Sequence, residues 1–195
     1  SQSHRLPRGG RIDRRKTLEF DFNGKHYQGY RGDTLASALL ANDVRVIGRS
    51  FKYHRPRGIV ASGAEEPNAI MQIGDGARSL PNQRATQVEL YEGLQARTIN
   101  AWPNLQFDLL ALNNMFSKLL PAGFYYKTFM RPKFLWHHYE NAIRKAAGLG
   151  LAPQQPDADF YDKKNSHCDV LIVGAGPTGI TATLAAARAG ARVIL

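Results

Sequence analysis

The sequence predicts an α+β domain followed by the opening of an α/β domain. Three observations predict it. An alternating apolar hairpin runs into a short helical stretch over residues 17–42. A helical pattern broken by Pro and Gly occupies about 104–148. A strand, a Gly-rich turn, an Ala-rich helix and a second strand fill 168–195. The domain reading is a basic N-terminal arm at 1–16, a β-grasp domain at 17–100, a helical region at 101–150, a linker at 151–166 and the start of an NAD/FAD-type dinucleotide-binding domain at 167–195.

Residues 1–16 are polar, rich in Arg and Gly and without a period, so the arm is expected to be extended and ordered only where something holds it. In the next stretch Leu18, Phe20 and Phe22 alternate with Glu19 and Asp21. Asn23-Gly24 is a type I′ turn signal and Lys25 to Tyr30 forms the return strand. Asp33 or Thr34 caps a helix through Leu35, Ala36, Ala38, Leu39 and Leu40, ending near Asn42. Strand, strand, helix is how a β-grasp domain begins. The apolar stretches Val44–Ile47, Gly58–Val60 and Asn68–Ile73, with a further strand at Gln87–Tyr91, are expected to complete a small mixed sheet. Leu105, Leu109, Leu112 and Phe116 recur at helical spacing, and His137 to Ala147 reads as a helix stopped by Gly148. Pro153, Pro156, Asp157 and Asp159 give the stretch before Cys168 the composition of an extended tether.

With 43% apolar residues the chain has ordinary material for a packed core, which argues against disorder. Its net charge of +10 is concentrated in RLPRGGRIDRRK and RSFKYHRPRG, two local basic surfaces that suit an anionic cofactor, an acidic partner or nucleic acid. The opening residues lack the apolar core of a secretory signal and no run reaches the roughly 20 apolar residues of a membrane span. The expectation is a soluble, cytoplasmic protein with no membrane contact. The lone Cys168 excludes an internal disulfide and a four-thiolate iron–sulfur cluster built from this chain alone. At the head of an apolar strand it reads as a small buried residue.

The clearest chemistry is Gly174-Ala175-Gly176-Pro177-Thr178-Gly179, between the strand Asp169–Val173 and the helix Ile180–Ala189. Gly174 permits the sharp turn, Gly176 lets a pyrophosphate approach the backbone, and Gly179 lets helix and strand pack closely. The N–H groups and dipole of the helix start attract the anion. The alternative is a Gly-rich turn with no ligand, but glycine weakens a regular element by up to ~1 kcal/mol relative to alanine, and three at this spacing need a reason. The chain reads as half a dinucleotide unit, the first β-α-β of a Rossmann-type domain, and hence as the N-terminal part of a longer protein. A side chain just after the strand Arg192–Leu195 would separate NAD or FAD from NADP.

Other candidates carry blander readings. Arg49 to Gly58 interleaves cations with aromatics; it suits stacking on bases, but a loop docked on another domain or subunit is favoured because no nucleic-acid-binding module follows. His54 has no carboxylate placed beside it by sequence and reads as a hydrogen-bonded surface histidine. His137 and His138 are adjacent, so they lack the spacing that puts two metal ligands on one helix face. Phe124 to Phe129 reads as an interdomain packing surface. Glu65 and Glu66 are adjacent carboxylates whose side chains diverge, and a turn is the default.

Taken together, GGRIDR (Gly9–Arg14), FNGKHYQGYRGDTLASALLAN (Phe22–Asn42), RSFKYHRPRG (Arg49–Gly58), GAEEPNA (Gly63–Ala69), RATQVELYEGL (Arg84–Leu94), PAGFYYKTFM (Pro121–Met130), RKAAGLG (Arg144–Gly150) and HCDVLIVGAGPTG (His167–Gly179) resemble, in order, the N-terminal region of heterotetrameric sarcosine oxidase alpha subunits. The basic-aromatic block and PAGFYYKTFM are the specific ones; GAGPTG alone fits many flavin and nicotinamide proteins.

The resemblance implies a ferredoxin-like β-grasp domain without its iron–sulfur cluster, a dinucleotide domain that holds NAD, and a folate-binding domain further along a much longer chain. It implies beta, gamma and delta partner subunits, with FAD and FMN in the complex and not on this portion. The implied activity is oxidative demethylation of sarcosine to glycine with O2 and tetrahydrofolate, giving hydrogen peroxide and methylene-tetrahydrofolate. No metal site and no catalytic residue fall on this portion; only Gly174 to Gly179 carries over, as part of the NAD site. A cluster-less domain kept in such a subunit implies a structural role, covering the dinucleotide domain and presenting basic loops to neighbours. Two alternatives stand beside this: the same architecture acting on another secondary amine or amino acid, and, from a different class, a basic nucleic-acid-binding adaptor.

Overall fold

The computed structural model describes residues 2–116, 123, 131–157 and 159–195. They fall into two compact units, Ser1–Asp157 and Ala158–Leu195.

In the first unit, β1 (Asp13–Phe22) and β2 (Lys25–Arg31) form an antiparallel hairpin. The turn works as Asn-Gly dictates: Asn23 and Gly24 have φ of 51° and 75°, the two left-handed residues a type I′ turn demands. Alternation then sends Phe20 and Phe22 into the core. β1 starts inside the stretch read as the arm, at Asp13.

Helix α1 (Leu35–Ala41) begins at Thr34, whose hydroxyl accepts from Ser37 N (3.1 Å) while Ser37 Oγ accepts from Thr34 N (3.0 Å). This reciprocal pair satisfies two donors the helix start leaves free. Asn42 closes the other end by donating Nδ2 to Ala38 O (2.8 Å). Leu35, Ala38 and Leu39 are fully buried, in one cluster with Phe20, Met71 and Leu94. Each large side chain so buried stabilises the fold by roughly 1.5–3 kcal/mol.

The short strands β3 (Gly48–Arg49) and β4 (Pro56–Arg57) pair with each other. They bracket the basic-aromatic turn. β5 (Ile70–Ile73), β6 (Leu80–Arg84) and β7 (Leu94–Arg97) complete a five-stranded sheet in the order β2-β1-β7-β5-β6. β1 and β7 run parallel, with Phe20 opposite Leu94 and Phe22 opposite Ala96, and the other neighbours are antiparallel.

The strand expected at Gln87–Tyr91 is not one. Val88 O accepts from Leu35 N (2.8 Å) and Leu90 N donates to Asp33 O (2.9 Å), so this segment satisfies the start of α1 and makes only a bridge at Glu89. Val44–Ile47 and Gly58–Val60 are likewise outside the strands, although Ile47 is fully buried. The helical spacing at 105–116 yields only a 3-10 segment, Leu109–Asn114. Leu105 is buried whereas Leu112 and Phe116 are exposed, so no continuous buried stripe exists to hold a longer α-helix. Helix α2 (Trp136–Ala147) ends at Gly148 in the left-handed conformation (φ 75°), where Gly148 N donates to Lys145 O. The run Phe124–Phe129 lies outside the described residues.

The second unit holds β8 (Val170–Leu171), helix α3 (Pro177–Arg188) and β9 (Val193–Ile194), with the two strands parallel. Among the described residues no helix is long and apolar enough to cross a membrane.

Candidate functional site

The Gly-rich turn joins β8 to α3. Gly174 has φ of 109°, a conformation closed to L side chains, and it turns the chain out of the strand. Gly176 is the N-cap residue of α3 and lacks a capping side chain, and Pro177 follows at the first helical position, where its missing N–H costs nothing. A Cβ added at Gly176 would meet nothing within 4 Å, whereas one at Gly179 would collide with the Gly174 carbonyl oxygen and lie 3.5 Å from Ile172 Cγ2. Gly176 thus leaves the backbone open to an approaching group and Gly179 lets the helix lie against its own turn. Ala175 and Thr178 complete the turn, and a helix start leaves its first N–H groups without intrahelical acceptors.

Below the turn, Asp169 and Arg192 clamp the two strands. Arg192 donates Nη2 to Asp169 Oδ1 (2.9 Å), Nε to Oδ2 (3.2 Å) and its own backbone N–H to Oδ2 (2.9 Å). The guanidinium, with that backbone donor behind it, holds the Asp169 carboxyl below its ordinary range, and the same contact raises Arg192. Cys168, expected to be buried, is half-buried.

In the first unit the basic-aromatic turn is built around Arg49. Its Nε and Nη2 donate to Leu105 O (3.0 and 2.6 Å), Nη2 also to Gln106 O (3.2 Å), and Nη1 to His54 O (3.0 Å). His54 is not a surface histidine. It is 1% exposed, its φ is 50°, and its Nδ1 lies 2.8 Å from Asp108 Oδ2. The carboxylate that no local spacing could supply comes from 54 positions away. Asp108 Oδ1 accepts from Trp102 N (3.1 Å) and Leu110 N (3.2 Å), so one carboxylate ties three segments together. Shut off from solvent, the pair is a staple and not a proton carrier. It presents the turn outward: Lys52 Nζ and the Arg55 guanidinium each lie 4.8 Å from the Tyr53 ring centre, and Arg55 donates twice to Asn114 Oδ1 (3.2 and 3.0 Å).

The arm is held by Arg5. Its two Nη atoms reach Asp33 Oδ1 (3.0 Å) and Oδ2 (2.6 Å), and its guanidinium lies 5.0 Å from the Tyr30 ring centre. Asp33, a cap candidate, is instead this buried anchor and also accepts from Tyr30 N and Ser37 Oγ. Glu66, taken for a turn residue, is fully buried and accepts four backbone N–H bonds. Burial alone would raise its carboxyl, but the N–H groups of Ala61, Asn68, Val60 and Ala69 outweigh this and hold it below the ordinary range. His137 and His138 are exposed on α2, and no cluster of three or more metal-ligating side chains occurs among the described residues.

The hairpin, helix and parallel return strand fall within a family match. Residues 15–101 are similar to the family described as a 2Fe-2S iron-sulfur cluster binding domain. The match corrects the expectation of a domain with no iron–sulfur cluster, because the matched family is defined by binding one. That expectation rested on the resemblance and on the missing thiols, whereas the match extends across the whole domain. Tested against the residues present, a four-cysteine ligand set is not found: 15–101 contains no cysteine and Cys168 belongs to the other unit.

The particular relatives are alpha subunits. The chain is 60% identical over 99% of its length to "Sarcosine oxidase subunit alpha" of Rhizobium meliloti (strain 1021), covering 20% of that protein. It is 35% and 34% identical to proteins of the same name from Corynebacterium strains U-96 and P-1, covering 15% and 16% of them. It is therefore a homologue of sarcosine oxidase alpha subunits that spans one fifth or less of their length. A crystal structure of L-proline dehydrogenase from P. horikoshii is similar over 44% of this chain and 16% of that one, at 22% identity and a TM-score of 0.33.

Proposed function

We propose that this chain is the N-terminal portion of the alpha subunit of a sarcosine oxidase complex and that Gly174 to Gly179 contributes the pyrophosphate site for NAD. The observation that carries the reading is the 60% identity across 99% of the chain to a sarcosine oxidase alpha subunit. The turn supports the second part: an open approach at Gly176, a closed one at Gly179, and a helix start between two parallel strands are what a pyrophosphate needs.

NAD, when bound, would bring a nicotinamide and two phosphates. This chain's own part is to hold the phosphates: Gly174 turns the backbone, Gly176 offers an unobstructed main chain, and Gly179 keeps α3 close to β8. In the full complex the reaction takes sarcosine, O2 and tetrahydrofolate to glycine, hydrogen peroxide and methylene-tetrahydrofolate; none of its catalytic groups is assigned to residues 1–195. The first unit is structural in this reading, with the Arg49–His54–Asp108 staple presenting cations to a neighbouring subunit.

The test is the cofactor content of the complex recovered through a tag on the full-length chain. Stoichiometric NAD released on denaturation, with a copurifying flavin-bearing subunit, supports the reading. Absence of NAD overturns the assignment of the turn, and absence of any flavin subunit overturns the assignment to the complex.

A further inference from the structure

We propose that the backbone of residues 60–69 is a carboxylate-binding nest whose resident ligand is the chain's own Glu66, and that it takes free formate or acetate when that side chain is removed. Val60 N and Ala61 N donate to Glu66 Oε2 (2.8 and 2.7 Å), and Asn68 N and Ala69 N donate to Oε1 (2.8 and 3.2 Å). Two donors on each oxygen match the forked shape of a carboxylate and not a spherical halide. The Glu66 side chain is fully buried, and the nearby Arg84 Nε goes to the Glu66 main-chain carbonyl (3.3 Å), so main-chain N–H groups carry the recognition.

The donors are also held by bonds that do not involve the carboxylate. Asn68 Nδ2 donates to Gly58 O (3.0 Å), Thr86 Oγ1 to Gly63 O (2.7 Å), and Ala85 N to Ala69 O (2.9 Å). These braces tie both ends and the middle of the loop to its surroundings. These braces keep the four N–H groups close together, and left without their acceptor they either recruit an anion or let the loop open. The nest decides whether the connection between β4 and β5 is closed.

The experiment is hydrogen exchange of the peptide covering residues 58–70 in the full-length chain carrying Glu66→Ala, in sodium formate and in sodium chloride at equal ionic strength. The expected result is fast exchange in chloride and a saturable return toward wild-type protection in formate, while the wild type and Glu65→Ala exchange alike in both salts. Equal exchange of Glu66→Ala in the two salts overturns the proposal. Should Glu66→Ala be recovered only as aggregate, refolding in the two salts replaces the measurement: a higher soluble yield in formate supports the nest, and equal yields overturn it. Glu66→Gln fills the volume but turns an NH2 toward N–H groups, so it is expected to lose protection and ignore formate. A formate response in Glu66→Gln equal to that of Glu66→Ala would put the anion elsewhere and overturn the assignment.

Discussion

His54 Nδ1 lies 2.8 Å from Asp108 Oδ2, and this contact joins the basic-aromatic turn to a segment 54 positions further along the chain. Asp108 also accepts from two backbone N–H groups, and Arg49 approaches the same carboxylate at 4.0 Å. Asp108→Ala leaves the histidine and the two backbone donors without their acceptor and takes the counter-charge away from a nearly buried guanidinium. Removing one partner of such a buried group costs roughly 3–5 kcal/mol. The expected outcome is a large drop in the denaturation midpoint of the full-length chain, with Asp108→Asn intermediate because its amide oxygen still accepts from Trp102 N and Leu110 N. A midpoint unchanged in Asp108→Ala would remove the staple from the account.

Arg5 fastens the arm through a bidentate contact to Asp33, with the two side chains 10% and 0% exposed. Arg5→Ala breaks this pair at a cost of roughly 3 kcal/mol and frees the arm before β1. Trypsin is expected to cut at Arg8 and Arg11 several-fold faster in the variant than in the wild type. Equal cleavage rates would mean that the arm is held elsewhere.

Glu66 sets a pH dependence of definite sign. Its carboxyl titrates below its ordinary value in the fold, so its contribution is present above the unfolded pKa of about 4.3 and is lost as pH falls through the lower folded value. Acid unfolding curves should show the wild type losing stability steeply below about pH 4, and Glu66→Gln, already weaker at neutral pH, losing less over the same window. Parallel curves would show that other carboxylates set the acid limb.

Two glycines in the turn are expected to behave differently. At Gly176, where φ is −71° and a Cβ meets nothing, alanine should leave the fold intact yet stand where the pyrophosphate approaches. At Gly179 a Cβ strikes the Gly174 carbonyl, so alanine should displace α3 itself. Calorimetric titration with NAD should show affinity lost in both variants of the full-length chain, with the circular dichroism spectrum changed only in Gly179→Ala. Full NAD affinity in Gly176→Ala would contradict the assigned approach.

The parts of this fold legible in the sequence are those decided within a few residues. Asn23-Gly24 carries its turn in its own φ preferences, Thr34 and Ser37 carry the helix cap in their spacing, and Gly148 carries the end of α2. What was not legible was decided by distant partners. Gln87–Tyr91 has the residues of a strand, but its carbonyl and N–H groups satisfy the start of α1, and the parallel neighbour of β1 is the less apolar Leu94–Arg97. The polar β6, with Pro81 in it, is an edge strand with no clear alternation to announce it. His54 and Glu66 misled for the same reason: nothing in the neighbouring letters says that Asp108 will reach the first, or that the loop will close its N–H groups around the second.

The most direct measurement is sarcosine-dependent oxygen consumption by the complex isolated through the full-length chain, with and without tetrahydrofolate. The account predicts oxygen uptake that depends on sarcosine, with methylene-tetrahydrofolate formed when the folate is present. A flavin-bearing complex that takes up no oxygen with sarcosine but does with another secondary amine would contradict the assigned substrate.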